Sequence, residues 1–169
     1  KQIQEPNHRI YFYGNFSQKI SKNNTVEKLF KILDEKKLLK DKKFQIKIKK
    51  NIPQKAGLGG GSMNAASILN YFVKKKIIKV HSKDLANISR MIGSDVILGL
   101  RSSHCILNSK NEVKYFKNLK KIYTLIIKPN FGCSTKDIYS KVRKFNKPKL
   151  MQPNKGMFSL NYLKNMSNS

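Results

Sequence analysis

Acidic residues are scarce: 9 Asp and Glu stand against 36 Lys and Arg in 169 residues, a formal charge of +27. So large an excess attracts polyanions without specificity. A dedicated nucleic-acid binder, however, gathers its basic residues into an arm or stripe interleaved with aromatics. Here the excess is nearly all lysine and is spread through almost every segment, alongside abundant Asn and Ile. The pattern reads as a broad compositional bias, and no specific nucleic-acid partner is expected. Cysteine is equally sparse. Cys105 and Cys133 are too few and too far apart for a disulfide framework or a zinc site, and both read as ordinary thiols. No apolar run approaches the roughly 20 residues that span a bilayer, and no signal-peptide pattern opens the sequence. A cytoplasmic location without a membrane partner is the expectation.

Hydrophobic residues, at 39% of the chain, recur in ordered patterns, which argues for a globular protein of one domain or one domain plus part of another. The sequence opens on Lys1 rather than methionine, and a piece of a longer protein is expected. No internal repeat is present. A short strand is predicted around Arg9 to Tyr13, then a polar loop from Gly14 to Asn23. Asn24 should cap a helix, with Glu27 as capping-box partner and Val26, Leu29, Phe30 and Leu33 as its apolar face. Phe44, Ile46 and Ile48 alternate with Gln45, Lys47 and Lys49, the period of a half-buried strand whose outer face is solvated by lysine.

A glycine-rich loop follows at once, then a helical pattern in which Ala66, Leu69, Phe72, Val73 and Ile77 share a face, closed by Lys74 to Lys76 at the negative end of the helix dipole. A further helix is predicted from a Ser82 cap through Leu85, Ile88 and Met91 to a stop at Gly93. Beyond it, Cys105 to Leu107 and Val113 to Phe116 read as a hairpin and Ile122 to Ile127 as an apolar strand. Ser134 should cap a short helix through Tyr139 and Val142. From Lys144 the pattern weakens, and only Met157 to Leu163 regains apolar character. His8, His81 and His104 stand in dissimilar contexts and read as surface or loop residues.

Strand, glycine loop and helix in that order make an anion site. Four glycines between Gly57 and Gly61 allow tight turns and close approach, while the start of the helix adds unpaired N–H groups and its positive dipole end. Ser62 can add a hydroxyl donor. A Walker loop needs Lys and then Ser or Thr after its last glycine, but Ser62-Met63 follows Gly61. A dinucleotide fingerprint fits only as Gly57-x-Gly59-x-x-Ser62, with no acidic residue about 20 positions on. A permissive turn without a ligand is the bland alternative.

The longer string Pro53-x-x-Ala56-Gly57-Leu58-Gly59-Gly60-Gly61-Ser62-x-Asn64-Ala65-Ala66 resembles the second motif of the GHMP kinases, in the triple-glycine form of the diphosphocytidyl-methylerythritol kinases. The resemblance implies an α/β (α+β) chain: an N-terminal ribosomal-protein-S5-domain-2-like domain over 1–120, then the start of a ferredoxin-like domain over 121–169. It implies that Pro53, Gln54, Lys55, Ala56, Gly57, Leu58, Gly59, Gly60, Gly61, Ser62 and Met63 wrap the triphosphate of ATP, with Mg2+ bridging its oxygens. Met63 departs from the family, which usually has a second serine there.

Ile92-Gly93-Ser94-Asp95-Val96 places one acid at the predicted start of a strand, where an Asp capping a turn is the plain reading. It resembles the family's Gly-Ser/Ala-Asp-Val stretch, which implies that Asp95 is the catalytic base; Ile97 stands where the family has proline. Ser134 to Tyr139 resembles the segment at the cytidine site, which implies substrate contacts from Thr135 and a stacking Tyr139, against the alternative of Tyr139 as a helix core residue. Asn24 resembles a residue near adenosine, although capping explains it equally. The family's N-terminal lysine strand, its Asp-Gly-Tyr-His stretch and its late glycine motif have no counterpart. The implied activity is ATP-dependent phosphorylation of the 2-hydroxyl of 4-diphosphocytidyl-2-C-methyl-D-erythritol, a small-molecule substrate of the non-mevalonate isoprenoid pathway. A homoserine or mevalonate type of GHMP kinase is the alternative acceptor class, and a basic nucleic-acid-binding module is the alternative from a different class.

Overall fold

The computed structural model describes residues 1–108, 110, 112–119, 121, 123, 125, 127, 132, 135–143 and 152–165, apart from the side chains of 135–137. The chain divides into two compact units, Lys1–Leu100 and Arg101–Ser169.

Unit one is built on a sheet of three strands, β1 (Gln2–Ile3), β2 (Arg9–Tyr13) and β3 (Lys43–Lys49), in the order β1-β3-β2. β2 and β3 run parallel, with Ile10 opposite Ile46 and Phe12 opposite Ile48, so their apolar residues share one face. Parallel neighbours need a crossover, supplied by α1 (Thr25–Glu35). The Asn24 side chain caps α1, accepting from Val26 N at 3.0 Å and Glu27 N at 3.1 Å, and it also donates to Ser21 O at 2.9 Å. α2 (Gly60–Lys74) and α3 (Ser82–Ile92) complete the helical layer. Leu29, Phe30 and Leu33 of α1, Leu69 and Phe72 of α2, and Ile88 of α3 meet Phe44 and Ile48 of β3 in one buried cluster.

Several details depart from the sequence reading. Ser82 is the first helical residue and His81 occupies the cap position without a side-chain bond. Met91 is exposed, and Ile92 is buried in its stead. No strand starts at Asp95: Val96–Leu100 is a 3-10 helix, with Val96 N bonded to Gly93 O at 3.1 Å and Leu98 N to Asp95 O at 3.2 Å. Val96 and Ile97 are both buried, and the 3-10 turn lets the two successive apolar side chains pack inward, where a strand would send them to opposite faces. His8 lies in a loop, as expected, but its side chain is not on the surface. Its side chain is only 9% exposed, lying against the rings of Phe30 at 4.3 Å and Phe44 at 6.2 Å.

Unit two contains the expected hairpin, β4 (His104–Leu107) antiparallel to β5 (Val113–Phe116), with His104 as a strand residue. It also contains α4 (Thr135–Ser140), a 3-10 turn at Lys155–Phe158 and α5 (Leu160–Lys164). Phe158 meets the rings of His104 and Phe116 at 5.9 and 5.2 Å. In the predicted strand at 122–127, Tyr123, Leu125 and Ile127 are exposed and form no strand, whereas 122, 124 and 126 lie outside the described residues. The predicted Ser134 cap, Cys133 and the weak stretch from 144 to 151 also lie outside them. Burial pushes the Cys105 thiol up from its ordinary value, which suits an inert thiol. No described helix is long and apolar enough to cross a membrane.

Candidate anion site at the glycine loop

β3 ends where the loop begins, and its last bonds fix the entry. Lys50 N donates to Tyr13 O at 2.7 Å, and Lys50 O accepts from Phe16 N at 3.3 Å. The Gln54 side-chain amide donates to the carbonyls of Phe16 and Gln18, which fastens the front of the loop to the turn after β2. Beyond these anchors the backbone enters the left-handed region three times, at Lys55 (φ 52°), Gly57 (φ 69°) and Gly59 (φ 64°). A non-glycine residue is uncommon there, so Lys55 holds some strain, while the two glycines adopt the region freely. Nothing lies within 4 Å of where a Cβ would stand on Gly57 or Gly59, so that side of the loop is open.

α2 starts directly from Gly59, which gives it no side-chain cap. Its first intrahelical bond is Met63 N to Gly59 O at 2.9 Å, and the N–H groups of Gly60, Gly61 and Ser62 have no partner among the described residues. Three unpaired donors and the positive end of a 15-residue helix therefore face an open glycine turn. That arrangement suits a phosphate group, whose oxygens accept several N–H bonds at once. Gly61 carries a second constraint, since a Cβ there would come within 3.0 Å of Thr25 Oγ1 at the start of α1. Leu58 is exposed, Pro53 and Ala56 are partly buried, and the Ser62 hydroxyl has no partner among the described residues. The Met63 side chain packs instead of pointing free: a Cβ on Gly99 would lie 3.0 Å from its sulfur.

The same helix positions Asp95. A Cβ on Gly99 would fall 2.6 Å from Ala66 Cβ, so only glycine lets the 3-10 segment lie this close to α2. Asn70 Nδ2 donates to Gly99 O at 3.0 Å and fixes the contact. Asp95 heads that segment, exposed, with Ser94 Oγ donating to its Oδ1 at 3.0 Å. An accessible carboxylate with free lone pairs is thus held by elements that pack on the loop's own helix. Tyr139, on α4 in unit two, is exposed rather than a core residue, and Thr135 begins that helix with its side chain outside the described residues.

One residue at the loop escaped the sequence reading. The alternation that turns Phe44, Ile46 and Ile48 inward continues one step to Lys50, which is 9% exposed while Lys49 is open to solvent. A Cβ on Gly60 would lie 3.7 Å from Lys50 Nζ. Carrying the period past the strand's end would have found it.

Residues 24–107 match the model of the GHMP kinases N terminal domain. Over 161 residues the chain is 58% identical to the 4-diphosphocytidyl-2-C-methyl-D-erythritol kinase of Pelagibacter ubique, covering 95% of this chain and 57% of that protein. It is 35% identical over 120 residues to the protein of the same name from Petrotoga mobilis (71% of this chain, 46% of that one). For the one from Fusobacterium nucleatum the identity is 36% over 118 residues (69% and 40%). The chain thus spans about half the length of the curated relatives it matches. No solved structure gives a significant match. The glycine turn that opens α2, the aspartate turn packed on the same helix and the family match across both place this chain in the GHMP kinase family.

Proposed function

We propose that the protein, at the length of its relatives, transfers the γ-phosphoryl group of ATP to the 2-hydroxyl of 4-diphosphocytidyl-2-C-methyl-D-erythritol. The observation that carries the reading is the open loop at 53–63, with the unpaired N–H groups of Gly60, Gly61 and Ser62 at the head of α2. Phosphoryl transfer depends mainly on positioning and on stabilising charge over the phosphate oxygens, and fixed backbone donors supply both. The relatives' name supports the acceptor.

In this reading the residues of the loop from Pro53 to Met63 orient the triphosphate, and the Ser62 hydroxyl adds a donor. Asp95, exposed and held by Ser94 at 3.0 Å, accepts the proton of the substrate hydroxyl as its oxygen attacks. Mg2+ bound with the nucleotide would offset the charge of its phosphates. No three His, Cys, Asp or Glu side chains gather among the described residues, so the ion would draw most of its ligands from phosphate oxygens and water. Thr135 and the exposed Tyr139 are assigned to the cytidine end of the substrate, where an aromatic ring can stack on a base. The family match runs on to Leu107, which supports an N-terminal domain that includes β4, within the assignment of 1–120 and 121–169. The chemistry is that of a soluble small-molecule kinase of the cytoplasm.

The test is transfer of phosphate from ATP by the protein at its relatives' length, with the cytidyl substrate, homoserine and mevalonate compared under identical conditions. Turnover of the cytidyl substrate alone is expected. Asp95→Asn should lower kcat by about 10²–10⁴-fold, the range of a positioned base, with ATP affinity retained. Transfer to another acceptor, or full turnover by the variant, overturns the respective assignment.

A further inference from the structure

A buried lysine without a partner needs an explanation. Lys50 occupies an inward position of the β3 period, after Phe44, Ile46 and Ile48, where an apolar side chain would serve the core. The covered part is the aliphatic stem: no fully buried side-chain nitrogen or oxygen among the described residues lacks a partner, so the ammonium at its tip keeps contact with solvent and can meet a ligand. At 9% exposure, Lys50 makes no side-chain hydrogen bond or ion pair among the described residues. The ion pairs present join His8 and Lys43 to Asp34, Arg9 to Glu5 and Lys31 to Glu35.

Its direction is set by the backbone. The bonds of Lys50 N to Tyr13 O and of Phe16 N to Lys50 O hold the residue in the sheet ladder, and the side chain runs forward to the first residue of α2. The ammonium there lies 3.7 Å from the Cβ position of Gly60, the first of the three residues whose N–H groups are unpaired. Helix donors and an ammonium without a protein partner thus meet at one end of α2.

We infer that Lys50 is the cation of this site, its ammonium binding a phosphate oxygen of the polyphosphate that the glycine loop receives. The inference rests on the phosphate reading of that loop. A Walker loop carries its lysine on the helix, immediately after the last glycine, where this sequence has Ser62-Met63. Here the strand before the loop supplies the charge instead. Lysine suits the task as a compact point charge with three donors. Lys50 is a binding residue, distinct from the proton acceptor assigned to Asp95.

The full chain, with any flanking sequence its gene carries, is titrated calorimetrically with inorganic tripolyphosphate, ATP and adenosine, as wild type, Lys50→Met and Lys50→Arg. Wild type should bind tripolyphosphate and ATP. Lys50→Met should lose at least about tenfold in affinity for both anions, the scale of one hydrogen bond to a charged group, with adenosine binding unchanged. Lys50→Arg should bind both anions more tightly than Lys50→Met. Wild-type anion affinity in Lys50→Met overturns the assignment and leaves the loop reading standing. Adenosine binding without tripolyphosphate binding in wild type defeats the loop reading and the role of Lys50 together.

Discussion

His8 joins three parts of unit one through a single ring. Its Nδ1 accepts the Phe44 N–H at 3.0 Å, which leaves the proton on Nε2, 3.1 Å from Asp34 Oδ2. Lys43 also donates to Asp34 Oδ2, at 2.8 Å. Burial lowers the His8 pKa from its ordinary value, the nearby Lys43 charge lowers it further, and the hydrogen bond and charge of Asp34 oppose the shift without cancelling it. Burial pushes the Asp34 carboxyl up, but the hydrogen bonds and charges of Lys43 and His8 outweigh it, and the net shift is downward. The imidazole is therefore neutral in the fold, and protonating Nδ1 would set a donor against the Phe44 N–H. Because the folded value lies below the unfolded one, the unfolded chain takes up the proton first as pH falls. The stabilisation from neutral His8 is whole above about pH 6.5 and is lost as pH drops below that value toward the folded one. Asp34, also shifted downward, loses its contribution in the same direction but in a lower window: it is whole above the ordinary value of 3.8 and is lost only as pH falls below that. Thermal melts from pH 7.5 to 5 should show stability declining, with a shallower decline in His8→Gln. Equal slopes for the two proteins would remove His8 as the cause.

At the scale of elements, the decisive contact is that of the Val96–Leu100 segment on α2. A Cβ on Gly99 would stand 2.6 Å from that of Ala66, closer than two methyl groups can approach, and both belong to backbone that cannot swing aside. Gly99→Ala should destabilise unit one by about 1–3 kcal/mol, as overpacking does, and should displace Asp95 at the head of the segment. In urea melts, adding Ala66→Gly should restore part of the loss despite the ordinary cost of about 1 kcal/mol for glycine in a helix. Strict additivity of the two changes would show that the contact is not the one that matters. The sequence reading captured the elements on either side of this contact because each carries a local pattern: the Asn24 cap, the alternation at 44–48, the glycines at 57–61 and the helical period after them. It misplaced Asp95 at the start of a strand because Val96-Ile97 looks β-like in isolation, and the competing demand is the fit of Gly99 on Ala66, 33 positions earlier. The burial of the His8 ring, though not its place in a loop, was missed for the same reason, since its neighbours Phe30 and Phe44 arrive from elsewhere in the sequence. Lys50 is a different case. The pattern that would have placed it inward was present, but lysine is ordinarily read as solvated.

For the whole molecule, the distribution of the core decides how the chain behaves when divided. The buried cluster from Val26 to Val96 lies entirely within Lys1–Leu100, together with the β2–α1–β3 crossover, the glycine loop and Asp95. The first unit therefore holds what a domain needs: a sheet, three helices and a continuous core. A protein ending at Leu100 should unfold cooperatively, with a stability of about 5 kcal/mol or more from the usual value per residue. It should also bind tripolyphosphate as the full chain does, because the loop, the head of α2 and Lys50 all lie within it. Part of that affinity should be generic. A chain of +27 draws anions over a distance set by the Debye length, about 10 Å at 0.1 M salt and 3 Å at 1 M. Salt separates the two contributions. Affinity that vanishes by 1 M salt would belong to the diffuse lysines, whereas contact through three fixed N–H groups and Lys50 should persist in part. Calorimetry of the shortened protein at both salt concentrations measures this. A non-cooperative melt of residues 1–100 would mean that the core of the first unit depends on the rest of the chain.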